Sequence, residues 1–233
     1  MANLKSYLSA LLYILFPDNC LACGGVIEEE EDSICSICRF SLAKTNFHLD
    51  DKNIVAQKFW GRTKLNYAIS YLFFRKEGDV QNLLHGLKYN NQPQVGEILG
   101  NWYAQELMDN DFYKNFDIII PVPMHPKKLK KRGYNQSAYF GKGLAEIWKI
   151  PQLENGIKKL SNTLSQTKKS RQERYDNMKA GFEITDLEAI KNKNILLVDD
   201  VITTGATLEA CANLLLKGGA KTVSIATIAA AQS

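Results

Sequence analysis

No stretch of this 233-residue chain holds the ~20 consecutive apolar residues that a membrane-spanning helix needs. The apolar stretch Leu4 to Phe16 has a single lysine, Lys5, and no small-x-small cleavage site before Pro17 and Cys20, so it reads as a packed or amphipathic N-terminal helix rather than a secretory leader. No membrane insertion is expected, and the cytosol is the expected compartment. There is no internal repeat. There is no strong excess of one charge either: the net is +4. What matters is where the charges lie. Glu28 to Asp32 is an acidic run. Lys127, Lys128, Lys130, Lys131 and Arg132 crowd one short segment, and residues 158 to 179 hold seven basic and two acidic side chains. Such clusters suit an anionic partner, or a solvated lysine-rich face. The apolar share of 45% suits a folded chain that buries a core.

Cysteine is scarce but patterned. Four of the five form two CxxC knuckles, Cys20/Cys23 and Cys35/Cys38, separated by 11 residues. Four thiolates in this spacing suit a closed tetrahedral Zn²⁺ of the structural kind, because no position is left for water. Disulfides and a redox CxxC are the rivals. Cys211, in register with Leu208 and Leu215, reads as core.

Hydrophobic patterning predicts strands over 68–75, 117–122, 194–198 and 222–229. It predicts helices over 79–89, 95–108, 136–149 and 207–217, the last ended by Gly218-Gly219. Residues 156–177 are too polar to bury a core and read as a mobile loop or exposed helix. Strands alternating with helices predict an α/β fold with a parallel sheet covered on both faces. The expected layout is an N-terminal helix and zinc ribbon over 1–45, a linker or hood over 46–66 and the α/β domain over 67–233.

The stretch NILLVDDVITTGATLEA, 194–210, carries the most specific chemistry. A buried strand delivers Asp199 and Asp200 to the carboxyl edge of the sheet, where α/β proteins bind ligands. Thr203, Thr204, Gly205, Ala206 and Thr207 follow and lead into a helix. Free backbone amides and the helix dipole there favour an anion, and Gly205 permits close approach to a phosphate. The two carboxylates would repel a phosphate, but they can accept hydrogen bonds from sugar hydroxyls or hold hydrated Mg²⁺. Together the parts fit a ribose 5-phosphate. The alternative is a response-regulator-like strand that merely ends in acids.

The stretch resembles the signature for 5-phosphoribosyl 1-diphosphate (PRPP) in type I phosphoribosyltransferases. That resemblance implies that Asp199 and Asp200 bind the ribose hydroxyls and act as the catalytic pair, and that residues 203 to 207 bind the 5′-phosphate. Purine-salvage members have an aspartate at the first loop position; Thr203 stands there, which makes a 6-oxopurine acceptor less expected. The ordered set CxxC…CxxC, LLHGLKYNN, PVPMHPKKLKKRGYNQ, SQTKKSRQERYDNMKAGF and ILLVDDVITTGATL resembles the ComF/GntX-type phosphoribosyltransferase family over nearly the whole chain. By this resemblance the loop from Pro123 is the pyrophosphate loop, with His125, Arg132, Asn135 and Gln136. Lys88 falls on the family's Lys-Tyr pair. Gln166, Arg171, Arg174 and Asn177 are candidates for a closing loop. Lys159 stands where the family commonly has arginine, giving a point charge in place of a fork.

Two readings follow. One is an enzyme that transfers phosphoribosyl groups with Mg²⁺. It would rely on positioning and charge stabilisation, since no clear general base is visible. The other is a non-catalytic PRPP sensor, or a factor that binds single-stranded DNA and a DNA-uptake helicase in competence. Phe59, Trp60 and Tyr134 are candidate base stackers, each equally readable as packing. The acceptor and the oligomeric state, a homodimer included, stay open.

Overall fold

The structure, a computed structural model, describes residues 17–27, 33–109, 111–160 and 181–231. The N-terminal helix, the acidic run and the candidate closing loop with Gln166, Arg171, Arg174 and Asn177 lie outside the described residues.

A four-stranded parallel sheet forms the centre. Its strands are β1 (Ala68–Phe74), β2 (Ile118–Pro121), β5 (Asn194–Ile202) and β6 (Thr222–Ala231), in the order β1-β6-β5-β2. The inner strands carry apolar residues on both faces, 195–198 of β5 and most of β6, because both sheet faces are covered. Leu196 and Val198 face one core layer, while Ile195 and Leu197 face the other.

Three helices cover the first face: α3 (Asp79–Tyr89), α4 (Gln94–Met108) and α6 (Gln136–Trp148). Val80, Leu83, Leu84 and Leu87 form the buried stripe of α3 at the 3–4-residue spacing of one helix face. The backbones of α4 and α6 touch, and a Cβ added to Gly143 would lie 2.3 Å from the Glu97 carbonyl oxygen. A short helix, α7 (Leu187–Ile190), places Ile190 in the core of the second face, and helix α8 (Ala206–Lys217) covers that face with Leu208, Cys211 and Leu215. Cys211 is fully buried, as expected of a core residue, and burial pushes its thiol pKa up.

Three expectations need correction. β5 does not end at Val198; it runs through both aspartates to Ile202, held by the pairing of Val201 and Ile202 with Ala229 and Ala230. The apolar pattern stops at the acids, but the ladder does not. The segment after Pro123 is not a plain loop, because Pro126–Arg132 forms a helix, α5. It starts with Pro126 inside the first turn and ends on Gly133 at φ 85. Finally, Ile157–Lys159 is a strand, β3, paired antiparallel with β4 (Phe182–Ile184), and it buries Ile157.

Two segments flank the sheet. Residues 46–66 contain a short helix, α2 (Ile54–Gln57), and place Val55 and Phe59 in the core below β1 and α8. The cysteine knuckles carry a further short helix, α1 (Ser36–Ser41). They share a core with α3: Ala22, Ile34, Cys38 and Leu42 join the layer that holds Leu83 and Leu84. No helix among the described residues is long and apolar enough to cross a membrane.

Candidate ribose-phosphate and cysteine sites

The acid pair sits near the carboxyl end of β5, where the parallel topology opens toward the loops after β2 and β5. Period-two alternation slips here. Val198 and Val201 serve the same core layer, although they are three residues apart. Each carboxylate binds the backbone beside it. The Asp200 amide donates to Asp199 Oδ1 at 2.9 Å, and the Val201 amide donates to Asp200 Oδ1 at 2.6 Å.

The two aspartates meet different neighbours. The Ser137 hydroxyl donates to Asp199 Oδ1 at 2.8 Å, and Lys88 Nζ lies 3.0 Å from Asp200 Oδ2. Burial and the neighbouring charge of Asp200 push the Asp199 pKa up to about 7, against the opposing pull of the Ser137 hydroxyl, the Asp200 amide and Lys88. The pair is thus one engaged ion pair beside one carboxyl that gives up its proton only near neutrality.

Asn135 and Ser137 belong to one arrangement. Asn135 caps α6 by accepting from the Ser137 amide at 3.2 Å, and its Nδ2 donates to the Val122 carbonyl at 3.0 Å. The cap ties the end of β2 to the residue that holds Asp199. Gln136, beside them, is buried, and its Nε2 has no hydrogen-bond partner among the described residues. Lys88 is braced in a similar way: the Tyr134 hydroxyl donates to the Leu87 carbonyl at 2.6 Å, and Arg132 lies 5.7 Å over the ring of Tyr89.

The loop after β5 turns on Gly205, which has φ +80. A Cβ there would lie 3.0 Å from Phe59 Cζ, so the segment before β1 packs directly beneath the loop. Thr203, Thr204, Ala206 and Thr207 are exposed, and α8 starts among them, at Ala206, with its free amides.

The structure therefore brings Lys88, Asp199, Asp200 and Asn135 into one cluster and sets 203–207 in the adjoining turn. It does not bond His125 or Arg132 to the acid pair among the described residues. His125 instead caps α5, its Nδ1 accepting from the Lys127 amide at 3.2 Å. Sequence reasoning missed Ser137. Its position directly after the Asn135-Gln136 pair, in the first turn of a helix that starts at the sheet edge, was the available signal. Of the candidate stackers, Phe59 and Tyr134 are buried in packing, and Trp60 is exposed.

At the other end of α3, the ligand atoms of Cys20, Cys23, Cys35 and Cys38 all lie within 4.8 Å of one another. Four sulfurs around a metal at ~2.3 Å require this spacing, so the set fits one tetrahedral ion. Backbone amides already point at the sulfurs: that of Cys35 lies 3.2 Å from Cys20 Sγ, and that of Cys38 lies 3.4 Å from Cys35 Sγ. Asp79 Oδ2, at the start of α3, lies 3.9 Å from Cys38 Sγ.

Comparison with known proteins agrees with this architecture. Residues 138–233 match the phosphoribosyl transferase domain family. Competence protein F of Haemophilus influenzae is 34% identical over 147 residues, 61% of this chain and 64% of that protein. The DNA utilization protein YhgH of Salmonella typhimurium is 29% identical, over 61% of this chain and 63% of that protein. Both matches thus span just under two thirds of the relative's own length. Competence protein ComFC of Streptococcus pneumoniae is 25% identical over 92% of this chain and 90% of its own. Among solved structures, the PRPP amidotransferase of B. subtilis is 22% identical over 59% of this chain and 26% of that one, with a TM-score of 0.42. The domain that 138–233 match is of the phosphoribosyltransferase class. Within that class the chain is similar to competence protein F, ComFC and the YhgH proteins.

Proposed function

We propose that this chain binds PRPP with Mg²⁺ and transfers its phosphoribosyl group to an acceptor. The observation that carries this reading is the continuity of β5 with the loop behind it. One strand presents Asp199 and Asp200, and three residues after that strand ends the chain turns on Gly205 at φ +80 into the amino terminus of a 12-residue helix. Carboxylates for ribose hydroxyls and a backbone cradle for the 5′-phosphate thus lie in series on one element. In this reading Asp199 and Asp200 hold the ribose and, with it, hydrated Mg²⁺. Residues 203–207 hold the phosphate. Lys88, His125, Arg132, Asn135 and Gln136 serve the diphosphate side, and Gln166, Arg171 and Arg174 close the site. Mg²⁺ would supply charge neutralisation for a diphosphate leaving group. Cys20, Cys23, Cys35 and Cys38 hold a structural Zn²⁺ that takes no part in the chemistry. The proposed layout keeps the cysteine module, the 46–66 hood and the transferase domain as three parts, working in the cytoplasm.

Calorimetry tests the reading. PRPP with Mg²⁺ should bind the wild type, and Asp199→Asn/Asp200→Asn should lose at least ~1.5 kcal/mol as charge-assisted hydrogen bonds to the ribose weaken. A folded, metal-loaded protein that ignores millimolar PRPP would sink it.

A second reading rests on α5. Lys127, Lys128, Lys130 and Lys131 are all exposed on one seven-residue helix. That helix, and the competence and DNA-utilization relatives, favour single-stranded DNA as a partner, alongside a helicase of the uptake machinery. Here PRPP would be sensed rather than consumed. Turnover with release of pyrophosphate would decide for the enzyme.

A further inference from the structure

Both oxygens of Asp200 are engaged in the free protein. Oδ1 accepts from the Val201 amide at 2.6 Å, and Oδ2 faces Lys88 Nζ at 3.0 Å. Asp199 differs. Its Oδ1 accepts from both Ser137 and the Asp200 amide, and no hydrogen bond of the described residues occupies its Oδ2. A diol reaching this edge therefore finds one wholly open oxygen on Asp199, while on Asp200 each oxygen already has a partner and the ammonium lies 3.0 Å from Oδ2.

Lys88 is placed to move. Its side chain is 26% exposed, against 17% for Asp200, so the pair is reached by water and is not locked in a dry core. The backbone beneath it is fixed. The Tyr134 hydroxyl binds the Leu87 carbonyl, and Arg132 stacks over Tyr89. The ammonium therefore swings from a braced helix end, between the acid pair and the cation-rich segment that ends in Arg132.

We infer that Lys88 is a specificity-determining residue, a latch on Asp200 that is released only by a ligand bringing its own anionic group to the sugar's C1 side. This rests on the ribose-phosphate reading of the same site and deepens it. A sugar with a diphosphate at C1 offers the ammonium a stronger partner than one carboxylate, and Asp200 is freed for the second hydroxyl. Ribose 5-phosphate has nothing to draw the ammonium away, so its second hydroxyl competes with Lys88 for Asp200. The ion pair thus converts the presence of a diphosphate into a second sugar contact.

The test compares two ligands across two variants. Wild type, Lys88→Met and Lys88→Gln are titrated with PRPP and with ribose 5-phosphate, each with Mg²⁺, after thermal melts confirm folding. The wild type should prefer PRPP by about tenfold or more, as expected of one charge-assisted contact exchanged for another. Both variants should lose about tenfold for PRPP while binding ribose 5-phosphate as well as, or a few-fold better than, the wild type, because the latch is gone. Equal losses for both ligands would make Lys88 a mere prop for Asp200 and overturn the inference, as would no loss for either. A wild type that binds neither ligand would instead remove the ribose-phosphate reading itself, whatever the variants do.

Discussion

Gly205 occupies a backbone region that other residues enter at a cost, and a Cβ there would press on the Phe59 ring at 3.0 Å. Gly205→Ala should therefore lose about 1–3 kcal/mol of stability in urea denaturation. It should also lose affinity for ribose 5-phosphate, because the amides of 203–207 would no longer point into one cradle. Asp199 gives a pH signature at the same scale. Its pKa rises from 3.8 to about 7 on folding, so the native state holds a proton that the unfolded chain has released. That raises stability at low pH. The contribution is complete below 3.8 and fades as pH climbs to about 7. The stability of the wild type relative to Asp199→Asn should thus fall across that window and level off above it. Denaturation curves at a series of pH values check this, and a flat difference would refute it.

At the scale of elements, strands and helices with a dense apolar pattern were legible: β1, β2, β6, α3, α4, α6 and α8 stand close to where spacing put them. The acids and the turn that follows them were legible too, because a strand, two carboxylates and a Thr-Thr-Gly turn is a local pattern. What was not legible depends on distant parts of the chain. Ser137 meets Asp199 across 62 positions, and no spacing rule relates them. β3 buries a single isoleucine, too little to stand out in a polar stretch. Val55 and Phe59, scattered in a mixed segment, give no period. α5 was hidden for another reason: lysines fill it, so it has no apolar stripe, although its Pro126 and Gly133 mark both ends. That helix carries its own prediction. Replacing Lys127, Lys128, Lys130 and Lys131 with alanine should weaken single-stranded DNA binding and flatten its dependence on salt by up to ~0.7 per lost phosphate contact. PRPP affinity should change far less. Unaltered salt dependence would exclude α5 from any nucleic-acid contact.

At the scale of the molecule, the cysteine module and the α/β domain are one folded body. Cys38 and Leu42 share a core layer with Leu83 and Leu84, the Asn82 amide donates to the Ala22 carbonyl at 2.7 Å, and Arg39 lies 4.8 Å over the Trp102 ring. Removing a bound metal should therefore destabilise the whole protein. Chelation, or Cys20→Ser/Cys23→Ser, should lower the melting temperature in a single cooperative transition, because metal binding and folding are linked. Two separate transitions, with the α/β domain unmoved, would show that the module is only tethered.

Helix α3 joins the two sites. Its first residue, Asp79, lies beside Cys38 Sγ, and its tenth, Lys88, meets Asp200. Eleven helical residues make a stiff rod of roughly 16 Å, too short to bend appreciably and capped at each end by chemistry of opposite kind. The cysteine cluster thus stands at one end of a rigid support whose other end carries an ammonium. What displaces Asp79 displaces Lys88 with it, so the two ends of the helix are not free to settle independently.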